Sequence, residues 1–189
     1  LTNGDYWLTN WGNGVLTMDR FFQPKKYNIF KNFPANWNKA QRAGINLTWC
    51  MHQEKATGDV WIGSNGGLIT RYNPKTDKTT FYNPPEFANA TVRYITEDKK
   101  GRLWFSTQRG RIIRFENNQF TIIKDFGTAI IPKILFDSEN WIWASVQGTG
   151  LFALDGETGR IIQQYVKGNA ENSLFSNNGA DIDQLNDST

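Results

Sequence analysis

"GRLWFSTQRGRIIRFE", residues 101–116, sets two short apolar runs on either side of a glycine turn and places one tryptophan in the first of them. "RLWFST" and "RIIRF" are rich in β-branched and aromatic residues, and "QRG" between them reads as a tight hairpin turn. The phrase returns as "GDYWLTNWGNGVLTMD" (4–19), "GDVWIGSNGGLITRYN" (58–73) and "NWIWASVQGTGLFALD" (140–155). Its anchors are Trp7, Trp61, Trp104 and Trp143, which stand 54, 43 and 39 residues apart. Such intervals belong to propeller blades and vary too much for the coils of a β-helix. A small or polar residue follows each anchor two positions on: Thr9, Gly63, Ser106 and Ser145.

Working outward, a third run follows the pair in "KTTFY" (78–82), "QFTII" (119–123) and "RIIQQY" (160–165). A fourth precedes the tryptophan phrase in "INLTWCMH" (45–52), "VRYITED" (92–98), "PKILFDS" (132–138) and "DIDQLND" (181–187). The intervening "NPKTD", "ENN" and "DGETG" are turn sequences. The fold expected is all-β: a β-propeller of four-stranded antiparallel blades. One twisted four-stranded sheet has two apolar faces and buries neither alone, so blades stack, and the anchor indoles fill the wedges between them. Only "NWNKAQRAG" (36–44) suggests a helical turn, within a long loop.

The expected division is a partial blade over 1–44 that lacks its innermost strand, with outer strands at 5–9, 15–19 and 27–31. Blades follow at about 45–91, 92–130 and 131–179, and the innermost strand of a further blade at 180–189. About four blades are thus present. The reading favours a segment of a larger ring of about seven blades over a closed four-bladed domain.

Composition excludes other classes. The 189 residues are 39% hydrophobic and 14% aromatic, enough for a real core. The net charge of +3 comes from 21 basic and 18 acidic residues spread along the chain, which argues against nucleic-acid binding. One cysteine, Cys50, and one histidine, His52, rule out a disulfide framework and a Cys/His zinc site. Trp49 and Met51 alternate with Cys50 and His52 on opposite strand faces, so these side chains do not converge on a metal. No apolar run is long enough to insert in a membrane, and an export signal, if used, lies outside these residues.

The order of apolar strand, Asp, turn Gly, Trp, small residue, polar turn and strand ending in Arg-aromatic resembles the two-component regulator propeller repeat. The match is fullest at 92–116, where Glu97, Asp98, Gly101, Trp104, Ser106, Thr107, Arg114 and Phe115 fall in place. The linker "KGNAENSLFSNNGADIDQLND" (167–187) is similar to the family's inter-blade segment. The pattern departs at Asn140, where the turn glycine is missing, and at the insertion 20–44. The resemblance implies the periplasmic or extracellular sensor region of a hybrid two-component regulator, as in Bacteroidetes-like bacteria. It also implies an oligosaccharide or similar solute as ligand, a neighbouring propeller or a homodimer partner, and a kinase elsewhere in the full protein. A non-signalling interaction platform of a cell-surface or secretion assembly stays open, as does a propeller lyase or hydrolase.

No catalytic constellation is legible, and no cofactor is expected. A serine nucleophile would need His52 and an oxyanion site, and no nucleophile-elbow motif is present. Asp98, Asp137 and Asp187 recur before the tryptophan strand, a register that suits turn-stabilising bonds to the backbone rather than acid–base pairs. Ligand contacts are expected from the loops of one propeller face: Trp11, Asn13, Trp37, Arg42, Asn65, Gln108, Arg109 and Gln147. Trp11 and Trp37 stand outside the anchor register, and aromatics beside Asn, Gln and Arg suit a sugar ring and its hydroxyls. The alternative for Trp37 is that it packs the insertion onto the blade.

Overall fold

The computed structural model describes residues 4–171 and 173–184. The chain divides into two compact units, 1–95 and 96–189. The first unit holds β1 (Tyr6–Asn10), β2 (Gly14–Met18) and β3 (Pro24–Tyr27), an antiparallel sheet in the order β1-β2-β3. After the short helix α1 (Lys39–Gly44) come β4 (Thr48–Gln53), β5 (Val60–Ser64), β6 (Ile69–Asn73) and β7 (Lys78–Tyr82), again paired in chain order. The division falls inside β8 (Val92–Glu97).

β8 belongs to the sheet completed by β9 (Leu103–Thr107), β10 (Arg111–Glu116) and β11 (Gln119–Asp125). The last sheet is β12 (Ile134–Phe136), β13 (Trp141–Val146), β14 (Gly150–Asp155) and β15 (Ile161–Tyr165). Among the described residues, three four-stranded sheets and one of three, all meandering, are the blades that the repeat demands.

The hairpins follow from local chemistry. Gly110, at φ 69°, turns β9 into β10 where an added Cβ would lie 2.6 Å from the Gly127 carbonyl oxygen. Only glycine has both the φ range and the missing atom that this turn requires. A register shift interrupts the pairing of β2 with β3, of β10 with β11 and of β14 with β15. Bulges there increase the twist at the outer edge of these sheets.

The turn before the tryptophan strand is built as expected. The Asp98 Oδ1 accepts from the amides of Lys100 and Arg102 at 2.9 and 3.0 Å, and the Asp137 Oδ1 from those of Glu139 and Trp141 at 3.0 and 2.9 Å. Asp187 lies outside the described residues.

Strands β5 and β9 are buried along their whole length, which is what a sheet covered on both faces requires. The core of the first unit joins its two sheets through Val15, Val60, Ile62, Leu68 and Tyr72. Ile29, Phe30 and Trp37 complete it from the insertion, which therefore folds inward instead of looping through solvent. Helix α1 is closed by a capping box between Asn38 and Gln41.

Two expected elements differ. The third strand stands at Pro24–Tyr27 rather than 27–31, because Asn28 takes φ 53° and its Oδ1 accepts from the Phe30 amide, ending the extended run. Residues 181–184 carry no strand, and the rest of the expected innermost strand lies outside the described residues.

Candidate functional site

Trp61 and Trp104 are fully buried. Trp7 lies 5.4 Å from Tyr72 of the next sheet, and Trp104 5.2 Å from Phe136 of the next sheet. The indole N–H donates to a carboxylate from the preceding turn: Trp104 to Asp98 Oδ2 at 2.9 Å, Trp143 to Asp137 Oδ2 at 2.7 Å and Trp61 to Glu54 Oε2 at 3.2 Å. Asp98 and Asp137 thus each close the turn with one oxygen and hold the wedge with the other. The equal Asp-to-Trp spacing at 98/104 and 137/143 was the sequence signal for this second role.

In the second unit the turns are tied together by charge. Arg102, buried, donates to Asp98 through Nε at 2.6 Å and to Glu157 through both terminal nitrogens at 2.7 and 2.8 Å. Lys100 adds a fourth bond at 2.7 Å to Glu157. Hydrogen bonds first from Arg102 and then from Lys100 hold the Glu157 carboxyl down to about 2, and those from Glu157 and Asp98 raise the guanidinium of Arg102 further above its ordinary value.

In the first unit the structure gathers several of the expected ligand residues around Asn46 and Leu47. The Asn46 carbonyl accepts from the amides of Gly12 and Gly14 at 3.0 Å each, which fixes the β1–β2 turn carrying Trp11 and Asn13. Leu47 bridges Trp11 and its carbonyl accepts from the Asn65 amide at 3.0 Å. The Asn46 side chain donates to the Arg42 carbonyl at 3.0 Å and accepts from Asn28 at 2.8 Å. Asn65 itself accepts from the Thr91 hydroxyl at 2.7 Å. Beside this hub is an open groove of about 400 Å³ lined by Asn10, Asn13, Leu16, Tyr27, Asn28 and Asn46. Trp11 and Tyr27 are 70% and 76% exposed.

Trp37 is not at this surface. Its ring packs between Phe33 at 6.3 Å and Phe81 at 5.3 Å, so its role is to pin the insertion to the blade. Arg42 stays exposed, its Nε donating to the Trp37 carbonyl at 3.1 Å. In the second unit Gln108 and Arg109 sit exposed in the β9–β10 turn, which the Thr107 hydroxyl braces by accepting from the amides of Arg109 and Arg111. Gln147 is half-buried, its amide donating to the Ile130 carbonyl at 2.9 Å.

The list of expected contacts omitted Trp49. A bulge between Thr48 and Cys50 re-aims this residue, which is 42% exposed and lies under the Arg93 guanidinium at 4.3 Å. Its place on β4, outside the anchor register, was the available signal. The neighbouring Cys50 is packed away, its thiol donating to the Val92 carbonyl and pushed up to about 12 by burial. Among the described residues no group of three or more His, Cys, Asp or Glu side chains is placed to hold a metal, and no helix is long and apolar enough to cross a membrane.

Comparison with known proteins agrees with this architecture. Residues 86–109 match the family described as "Two component regulator propeller". No curated protein sequence matches the chain. Among solved structures, the extracellular domain of BT4673 from B. thetaiotaomicron, described as a hybrid two component system, superposes with a TM-score of 0.74 at 20% identity. The match covers 95% of this chain and 23% of that one. The extracellular domain of BT3049 from the same organism, described likewise, gives 0.70 at 19% identity over 96% of this chain and 22% of that one. The Cps50 (Swd1) β-propeller domain of Myceliophteria thermophila gives 0.64 at 11% identity, covering 85% and 56%. The chain therefore spans less than a quarter of the two extracellular domains. The chain has the fold of β-propeller blades, and its residues 86–109 are similar to the two component regulator propeller family.

Proposed function

We propose that this chain is part of the extracytoplasmic sensor region of a hybrid two-component signalling protein, and that its loops recognise a carbohydrate or a similar polyol. The observation that carries the ligand reading is the groove beside Asn46. There exposed Tyr27 supplies an aromatic face and Asn10 and Asn13 supply amide donors and acceptors, while Trp11, next to Asn10 in the chain, adds a second exposed ring on the adjoining turn. A sugar ring offers the complement: apolar C–H faces that lie on aromatic rings and hydroxyls that pair with amides. The sensor reading draws on the fold shared with the two extracellular domains and on the family match. A kinase outside these residues is the responding element in this reading.

The test is titration calorimetry of the full protein against a panel of oligosaccharides, followed by Trp11→Ala and Asn13→Ala. Saturable binding that each substitution weakens about 10-fold, a change of about 1.4 kcal/mol, is expected. Binding that survives both substitutions unchanged contradicts the assignment of the groove.

A further inference from the structure

The hairpins that join the last two strands of the four sheets make the same turn with different residues. Three of them pass through left-handed backbone at residue types that adopt it at little cost: φ is 55° at Asp77, 51° and 61° at Asn117 and Asn118, and 70° at Gly159. The hairpin between β2 and β3 gives this conformation, at φ 61°, to Phe22. A bulky side chain is strained there, and strain of this kind points to a side chain placed for use.

The turn is firmly built. The Asp19 Oδ1 accepts from the amides of Phe21 and Gln23 at 2.8 and 2.9 Å, the Asp19 carbonyl from the Phe22 amide at 3.0 Å, and the Gln23 carbonyl from the Asp19 amide at 3.0 Å. What it holds out is apolar. Phe21 and Phe22 are 64% and 62% exposed, Phe22 stacks on the exposed ring of Tyr6 at 4.7 Å, and the Arg20 guanidinium lies 4.8 Å from the centre of the Phe21 ring. The other three hairpins read "NPKTD" (73–77), "ENN" (116–118) and "DGETG" (155–159), with no aromatic ring at the tip.

The charge around the tip is positive. Residues 1–44 carry six basic residues, Arg20, Lys25, Lys26, Lys31, Lys39 and Arg42, against two acidic ones, a far larger excess than the 21 against 18 of the whole chain. Both acidic groups are engaged, Asp19 in the turn and Asp5 with Lys25 at 2.9 Å. The β6–β7 hairpin, tied on through Lys26 and Asp77 at 2.6 Å, presents exposed Lys75.

We propose that the Arg20–Phe22 tip docks on an anionic phospholipid surface. The two phenyl rings enter the headgroup layer, and Arg20 with the lysines around it stays level with the phosphates. The cations beside the rings favour a lipid phosphate layer over an apolar pocket of a protein. The contact is peripheral and needs no segment that crosses the bilayer. This inference is independent of the groove beside Asn46.

Hydroxyl-radical footprinting of the full natural protein, read by peptide mass spectrometry, tests it with vesicles of phosphatidylcholine alone and with vesicles in which phosphatidylglycerol replaces a third of that lipid. Phe21 and Phe22 are expected to oxidise on the order of 10-fold more slowly with the anionic vesicles, while the fully exposed Phe175 keeps its rate. Phe22→Asn puts at this φ a residue type that the β10–β11 hairpin already uses, so the circular dichroism spectrum should be unchanged while the protection of Phe21 is lost. Equal rates at Phe21 and Phe22 with the two kinds of vesicle overturn the proposal, as does protection of Phe21 that persists unchanged in Phe22→Asn. Protection already complete without vesicles also overturns it and assigns the tip to a protein partner.

Discussion

Trp104 and Trp143 stand in one register, each donating its indole N–H to a carboxylate of the preceding turn, yet their surroundings differ. Trp104 is fully buried, with Arg102 and Arg114 at 5.6 and 5.7 Å from its ring and Phe136 of the next sheet at 5.2 Å. Trp143 faces Ala153 where Trp104 faces Arg114, stacks on Tyr165 at 6.1 Å and is half-buried. The contrast separates two contributions. The carboxylate and the indole N–H form a local device that a single sheet completes alone, while most of the burial energy comes from the sheet laid on top.

The contrast is broken most directly by truncating the two indoles. Trp104→Ala should cost about 3–5 kcal/mol, the range for a fully buried aromatic, and Trp143→Ala markedly less, about 1–2 kcal/mol, if its face stays open. Urea unfolding of the two variants measures both, and equal losses would show that Trp143 is covered in solution as Trp104 is. A comparable difference is expected at the carboxylates. Asp98→Ala removes one of the two carboxylates on buried Arg102 together with the acceptor of the Trp104 indole, and should cost about 3 kcal/mol, whereas Asp137→Ala removes a half-exposed cap and should cost about 1 kcal/mol.

Smaller effects sharpen the picture. Gly63 holds on β5 the place of Ser106 and Ser145, and an added Cβ would meet Val92 Cγ1 at 2.6 Å. Gly63→Ser should therefore destabilise by about 1–3 kcal/mol in the same unfolding assay, although serine is the residue found at this register elsewhere.

Glu157 makes the fold sensitive to acid. Its folded carboxyl lies near 2 against an ordinary value of 4.5, so the stabilisation it gives is complete above about 4.5 and is lost as pH falls towards 2. Glu157 is 45% exposed on its side chain, so the loss should stay within about 1 kcal/mol. Acid titration followed by circular dichroism should show this step in the native protein and not in Glu157→Gln. The least effect on stability is expected at Trp11→Ala, within about 0.5 kcal/mol, against about 3 kcal/mol or more for Trp37→Ala.

The strands were legible because the repeat carries its own alignment: once Trp7, Trp61, Trp104 and Trp143 are superposed, turns and apolar runs fall into place. The turn role of Asp98 and Asp137 was legible for the same reason. What the repeat does not encode was harder to read. Asn28 ends β3 through a left-handed backbone that no periodicity announces, and the insertion around Trp37 has no counterpart in the other units. The candidate site was legible only in part. Trp11 and Asn13 are exposed loop residues as read, but Asn46, which organises them, sits in a segment that reads as strand. Trp49 offered one signal, its place on β4 outside the anchor register; simple alternation gives no hint that a bulge turns the residue outward beside Arg93.

The claim on which the rest depends is that the anchor indoles are wedges between packed sheets. A double-mutant cycle on Trp104 and Phe136, using Trp104→Leu, Phe136→Leu and the pair, measures this in equilibrium unfolding. A coupling of about 0.5–1.5 kcal/mol is the predicted result for two aromatic rings in contact across the sheet boundary. Strict additivity of the two single losses would contradict it.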